Sequence, residues 1–129
     1  MKNILIYLVL MLMFYGCGYE KKDLIGTYIK TPSVNTIDTL VLYGNNKYKQ
    51  TIYFKTGEFF GINEGEWEIK DGKVDFIDLY LNYDFNLNDY AKPKNGKFDK
   101  ASLMPSLLPI KNGKIIIDYD RKIFYNKIE

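Results

Sequence analysis

The chain has 129 residues, of which 47% are apolar and 26% charged, a composition typical of one globular domain rather than a disordered chain. Its 18 basic and 16 acidic residues are interspersed, so the charge gives no reason to expect a nucleic-acid partner. The chain contains no histidine, which excludes catalytic triads and zinc sites built on imidazole, and its single cysteine excludes an internal disulfide.

The N-terminus has the pattern of a secretory signal peptide. Lys2 provides a positive charge, and residues 4–15, ILIYLVLMLMFY, are apolar without interruption. This run is too short for a helix that spans a bilayer, which needs about twenty residues. The sequence therefore predicts a signal segment over residues 1–16.

The signal segment ends in Phe14-Tyr15-Gly16-Cys17, where a small residue directly before a cysteine resembles the lipobox of bacterial lipoproteins. This resemblance implies cleavage before Cys17 and acylation of its thiol and its amine, which together hold a protein stably on a membrane. Two alternatives stay open, an ordinary cleaved signal with a free thiol and an uncleaved anchor. Gly18 is not the Asp of an inner-membrane retention signal, which favours the outer membrane if the cell has one.

The mature chain is predicted to consist of a short solvated tether and one folded domain. Residues 17–23 form the lipidated N-terminus and the tether, and residues 24–129 form the domain. The clearest strand is 65–70, GEWEIK, because apolar and charged side chains alternate along it. An Asp-Gly pair follows it and predicts a hairpin with the strand 73–80.

Turn residues of the same kind separate the other predicted strands. The predicted strands cover residues 25–30, 37–43, 47–54, 58–62, 65–70, 73–80, 113–118 and 121–127. Eight short antiparallel strands predict an all-β domain, either a small up-and-down barrel or a sandwich. The similar segments IKDGK, PKNGK and IKNGK have unequal spacing and unrelated flanks, so turn chemistry explains them better than an internal repeat.

The segment 81–110 differs from the rest because it holds three of the four prolines. A connection of this length is usually functional, is disordered or contains a short element. Ser102 to Leu108 are predicted to form one helical turn, broken by Pro105, that lies against the domain as a lid.

Three segments, LIGTYI at 24–29, DTLVLYGNNKYKQ at 38–50 and GEWEI at 65–69, resemble the small lipocalin-like lipoproteins of the bacterial envelope. The resemblance implies a calycin-type β-barrel. It also implies that an aromatic residue on the first strand packs against an arginine near the last strand, at the closed end. Tyr28 and Arg121 hold these positions here. Alternatively, Arg121 is a charged turn residue after Asp118 and Asp120.

Carboxylates are the candidates for acid–base chemistry. They form a row on one strand face and a pair near the C-terminus: Glu64, Glu66 and Glu68, and Asp118 and Asp120. Members of the row lie about 6.6 Å apart, within the range of paired glycosidase carboxylates. They alternate with Trp67, however, so both sets are predicted to be solvated sheet surface.

Residues 84–89, DFNLND, begin like a calcium-binding loop, with Asp84, Asn86 and Asn88 at ligand positions. Asp89 stands where such a loop needs glycine, and Asn95 where it needs a bidentate glutamate. An EF-hand is therefore excluded, and only an irregular oxygen site stays open. The sequence predicts no metal and no other cofactor.

Three hypotheses of function follow. The first is a lipid-anchored, non-enzymatic envelope barrel that binds a small apolar ligand or serves as an accessory subunit. The second is a protein-interaction module, such as an envelope inhibitor or immunity protein, with an exposed aromatic patch such as Tyr83, Phe85 and Tyr90. The third is an enzyme that uses carboxylates such as Glu66 and Glu68. Strand register decides whether the interior is filled or hollow, because a slip of one residue exchanges the two faces.

Overall fold

The computed structural model describes residues 3, 4, 6, 7, 18–84 and 93–129, so Cys17 lies outside the described residues. Nine strands form one antiparallel sheet: Gly26–Thr31 (β1), Thr36–Leu42 (β2), Lys47–Phe54 (β3), Phe59–Lys70 (β4), Lys73–Leu79 (β5), Met104–Leu108 (β6), Ile110–Lys111 (β7), Lys114–Asp118 (β8) and Ile123–Lys127 (β9). One helical turn, Lys21–Leu24, precedes β1, and two 3₁₀ turns, Lys94–Gly96 and Lys100–Ser102, precede β6. None of the helices among the described residues has the length and apolar character needed to cross a membrane.

The sheet curls into a nearly closed barrel, which confirms the predicted small all-β barrel. β6 and β7 form its two edges, yet they are consecutive in the chain and only Pro109 separates them. The Ile116 N–H donates to the Pro109 carbonyl at 2.9 Å, so the bent segment 104–111 pairs with β5 on one side and β8 on the other. Proline has no N–H to place in a ladder, which suits it to this bend.

One pair of predicted strands and one predicted helical turn differ from the structure. The predicted strands 58–62 and 65–70 are one strand, β4, since Asn63 and Gly65 stay in register with Gln50 and Tyr48 of β3. The prediction of a helical turn over Ser102 to Leu108 was wrong, because residues 104–108 pair with β5. Pro105 falls where the β5–β6 register shifts, a position that needs no ladder N–H.

The strand register defines two ends of the barrel. The lower end contains the start of β1, the turns 43–46, 71–72 and 112–113, and residues 128–129. The upper end contains the turns 32–35, 55–58 and 119–122 and the long connection between β5 and β6. The polypeptide enters the barrel at the lower end.

The lower half of the interior is an apolar core around Trp67. Its indole is 1% exposed and donates to the Tyr43 carbonyl at 3.1 Å. Phe76 is its register partner on β5 and is also buried. The apolar cluster that contains this core extends upward to Leu79 and Tyr125. Its other buried members are Leu24, Tyr28, Leu40, Leu42, Tyr48, Val74, Leu108 and Ile115.

The second half of the predicted tether, residues 17–23, packs on the barrel. The helical turn Lys21–Leu24 is closed by a reciprocal capping box between Glu20 and Asp23. Leu24 enters the core, and its carbonyl accepts a hydrogen bond from the Tyr28 hydroxyl at 2.6 Å. Ordered contacts therefore begin before residue 24, the expected start of the domain.

Candidate functional site

A cluster of buried polar side chains lies in the upper half of the barrel interior, beside apolar ones such as Ile52, and this cluster is the candidate site. Inward positions on β1, β2, β3 and β4, which alternate with outward ones, carry polar side chains there, and residues after β5 cross over them. The buried polar side chains of this region are Lys30, Thr36, Asp38, Gln50, Asn63, Asn82 and Asp84. Burial of polar groups is costly unless they are hydrogen-bonded, so their partners determine what the site can do.

Asp38 is at the centre of this polar cluster and is fully buried. Its Oδ2 accepts hydrogen bonds from the Tyr125 hydroxyl at 2.8 Å and from the side-chain amides of Gln50 and Asn82 at 3.2 Å each. Burial raises the pKa of Asp38 from 3.8 to about 6, although these three donors and Lys30 act in the opposite direction.

Asp84 fixes the segment after β5 across the upper mouth of the barrel. Its Oδ2 accepts from the backbone N–H groups of Val34 at 2.7 Å and Asn35 at 3.0 Å, and lies 3.4 Å from the Lys30 ammonium. Burial alone would raise the pKa of Asp84, but these two N–H groups, Lys30 and the Thr36 N–H hold it below its ordinary value.

Aromatic rings close the rest of the upper mouth. The rings of Tyr80 and Phe98 are stacked with centroids 4.3 Å apart, and Phe60 lies within 6.0 Å of both. Gly61 makes this possible, since a Cβ there would lie 2.9 Å from the Phe98 ring. Together with Asp84, these residues cover the upper mouth of the barrel.

The polar cluster has the chemistry of a proton-binding group, and its centre is fully buried. An aspartate whose pKa is near neutrality is the type of group that transfers protons in catalysis. Asp38, Gln50 and Tyr125 are 0% exposed, whereas Asn63 of the same cluster lines a pocket together with Ile62 and Phe98. The hydrogen bonds of the cluster join β2, β3 and β9 with the segment after β5.

The predicted carboxylate sets lie on the outside. Glu64, Glu66 and Glu68 are exposed and alternate with buried Trp67, as the sequence predicted, and Glu66 pairs with Lys47. In the other set, Asp118 accepts a hydrogen bond from the Arg121 N–H at 3.0 Å and Asp120 is exposed.

The structure separates Tyr28 from Arg121. Tyr28 is buried at the lower end, where its register partner on β9 is Lys127. Arg121 precedes the first residue of β9, at the other end of that strand, with its Nε 3.8 Å from an Asp118 oxygen. This location matches the alternative interpretation of Arg121 as a turn residue.

The residues of the predicted calcium loop and aromatic patch are only partly described. Asp84 is buried with its Oδ2 bound to backbone amides, and Asn95 is exposed with a positive φ of 55°. Tyr83 is partly exposed. Asn86, Asn88, Asp89, Phe85 and Tyr90 lie outside the described residues.

A different exposed apolar surface lies at the upper end, on the outer wall. Ile37, Tyr53 and Phe59 are register neighbours across β2, β3 and β4, and the rings of Tyr53 and Phe59 are 5.3 Å apart. We call these three residues the upper apolar strip. The sequence does not reveal this strip, because β2 is almost equally apolar on both faces and alternation alone does not show which face is outside.

Comparison with known proteins adds no relative: no family model, no curated protein and no solved structure matches this chain.

Proposed function

We propose that this protein is a lipid-anchored, non-enzymatic envelope protein whose barrel acts as an interaction module, as an accessory subunit or an inhibitor, through its outer surface. The observation that carries the proposal is the filled interior. Trp67, Tyr48 and Phe76 occupy the lower half, and the polar cluster occupies the upper half. A barrel filled with its own side chains has only its outer surface for recognition.

The filled interior also separates the hypotheses drawn from the sequence. A small apolar ligand would need the volume that these side chains occupy, and it would have to enter past Asp84 and the aromatic rings at the upper mouth. The carboxylates predicted for an enzyme, Glu66 and Glu68, lie exposed on the outer wall, where Glu66 pairs with Lys47. The upper apolar strip, in contrast, is available to a partner on the surface.

Membrane attachment is tested at Cys17. We expect the Cys17→Ser variant to leave the membrane fraction and to lose the mass of the acyl chains. Gly18→Ala is the matched control, because nothing lies within 4 Å of its Cβ position, and it should stay lipidated. Membrane association that persists without acyl mass would contradict the lipid anchor.

The interaction surface is tested by site-specific photocrosslinking in intact cells. Tyr53 and Tyr43 form a matched pair because each is 43% exposed, and only Tyr53 belongs to the upper apolar strip. We expect a photoreactive residue at position 53 to give a discrete protein adduct and one at position 43 to give none. The same adducts from both positions, or none from 53, would contradict the role of the strip.

A further inference from the structure

The upper apolar strip belongs to a wider part of the outer wall that carries no charge. Outward side chains form two neighbouring rows across β1, β2, β3 and β4. The upper row consists of Thr31, Ile37, Tyr53 and Phe59, and the row below it consists of Ile29, Thr39, Thr51 and Ile62. We call these eight residues the neutral wall.

Charged residues surround the neutral wall but do not enter it. The next row down already contains Lys49 opposite Glu64, Lys97 lies beside Ile62, and Lys55 follows in the turn above. A partner that brought a charge onto the neutral wall would bury it without a counter-charge, which is costly. The surface that matches this wall is therefore itself uncharged.

The upper row of the neutral wall is bulky on one half and smaller on the other. Tyr53 and Phe59 carry rings 5.3 Å apart on β3 and β4, whereas Thr31 and Ile37 on β1 and β2 are smaller. A two-fold axis between β2 and β3, close to the strand direction, places Phe59 of one copy opposite Thr31 of another. It likewise places Tyr53 opposite Ile37. Large side chains meet smaller ones on both halves, so the wall is complementary to itself.

The second row of the neutral wall is compatible with the same axis. Thr39 of one copy lies opposite Thr51 of the other, and their hydroxyls can each donate and accept a hydrogen bond. Ile29 lies opposite Ile62 at the two margins. No pair in this arrangement leaves a charge or an unmatched polar group between the copies.

This axis also leaves the lower ends of both copies on the same side. The Tyr19 hydroxyl accepts a hydrogen bond from the Gly113 N–H of the β7–β8 turn, at the lower end, at 3.2 Å. Cys17 is only two residues earlier, and two residues of extended chain span about 7 Å. Lipids on both copies could therefore enter one bilayer.

We propose that the neutral wall pairs with the neutral wall of a second copy of this chain, about a two-fold axis close to the strand direction. The inference rests on the proposed function, because the lipid on Cys17 holds the copies in one membrane plane. Strands about 4.8 Å apart and rows about 6.7 Å apart give the wall an area of roughly 250 Å², against about 800 Å² per partner in a standard interface. The pair is therefore weak in solution and forms where the membrane raises the effective concentration.

Cross-linking of the lipidated chain in vesicles tests both the pairing and its axis. Thr31→Cys and Phe59→Cys are prepared as separate variants, and with Cys17 acylated each new cysteine is the only thiol of its chain. Opposed positions lie about 10 Å apart across two packed sheets, whereas two copies of position 31 are also offset by three strand spacings, about 14 Å. We expect a short bismaleimide to link copies about fivefold more in vesicles that hold both variants than in vesicles that hold either alone.

A matched pair of substitutions identifies the surface. Ile37 and Ile77 are 44% and 51% exposed, and only Ile37 belongs to the neutral wall. Ile37→Asp in both cross-linking variants should abolish the link because it places a charge in the wall, and Ile77→Asp should preserve it. The fluorescence of Trp67, the only tryptophan, shows whether both variants stay folded.

The possible failures can be told apart. Equal cross-linking in the single and mixed samples would overturn the two-fold arrangement, and a link that survives Ile37→Asp would overturn the role of the neutral wall. A chain without acyl mass contradicts the lipid anchor, whereas an acylated mixed sample without cross-links contradicts the pairing of copies alone. In that second case, a photoadduct of position 53 with a different protein would leave the proposed function standing.

Discussion

The Asp38→Asn variant should remove a pH dependence from the stability of this protein. Because burial raises the pKa of Asp38 from 3.8 to about 6, the folded protein holds a proton that the unfolded chain releases between these pH values. The free energy of unfolding therefore falls as pH rises through this window and is constant above it. A shift of this size amounts to about 3 kcal/mol in full, of which about 2 kcal/mol falls between pH 4.5 and 7.5.

Asparagine preserves the shape of the side chain and one acceptor oxygen but carries no charge. We therefore expect the difference in free energy of unfolding between the variant and the wild type to change by about 2 kcal/mol in favour of the variant from pH 4.5 to 7.5. Urea unfolding followed by the fluorescence of Trp67, the only tryptophan, measures both curves. Surface carboxylates contribute equally to both proteins and cancel in the difference.

The Asp38→Ala variant is the control for the hydrogen bonds. It removes the oxygen that three donors share, so it should destabilise the protein at every pH, at about 1–3 kcal/mol for each donor left without a partner. Parallel pH curves for the wild type and Asp38→Asn would refute the reasoning, since they would mean that the buried carboxyl has the same proton affinity in the folded and unfolded states.

Three further changes test the packing. Asp84→Ala removes the acceptor of two backbone N–H hydrogen bonds and should lower the free energy of unfolding at pH 7 by about 3 kcal/mol. Because the pKa of Asp84 is lowered in the folded state, its carboxyl stabilises the fold only where it is ionised, so the loss should shrink as pH falls below the ordinary pKa of the carboxyl. Urea midpoints of the variant and the wild type at pH 7 and pH 3 measure this change. Gly65→Ala places a Cβ 2.7 Å from the Tyr48 ring and should lower the free energy of unfolding by about 1–3 kcal/mol. Gly44→Ala is the control and should lower it much less, because the nearest atom to its Cβ would be 3.4 Å away. Equal melting temperatures of the two variants would count against the close contact at Gly65. Trp67→Ala should cost about 3–5 kcal/mol in thermal unfolding, and a cost below about 1 kcal/mol would mean that the indole is not part of the core.

The strands and hairpins could be predicted because their signals are local. Strand 65–70 alternates because one face of a half-buried strand meets the core and the other meets water, and the structure places Trp67 inside with Glu66 and Glu68 outside. The Asp71-Gly72 pair forms the predicted turn, with positive φ at both residues. These features depend on neighbours within a few residues.

The sequence alone did not identify the candidate site, because its residues meet across long separations in the chain. Asp38 and Tyr125 are 87 positions apart, and Lys30 and Asp84 are 54 apart. Nothing local distinguishes a buried Asp38 from an exposed one, since its neighbours Ile37 and Thr39 are as plausible on an inward face. Only the register of the assembled barrel decides it.

From its own pattern, the sequence determined an all-β domain and the hairpins around Asp-Gly and Asn-Gly pairs, while the signal segment over residues 1–16 stays a prediction. Local backbone preferences and the alternation of apolar side chains are sufficient for these conclusions. The tertiary structure decided how the barrel closes through Pro109, which side chains fill it, and how near to Cys17 the folded part begins. Each of these depends on which distant segments pair, and that choice is made by the packing of the whole chain rather than by any part of it.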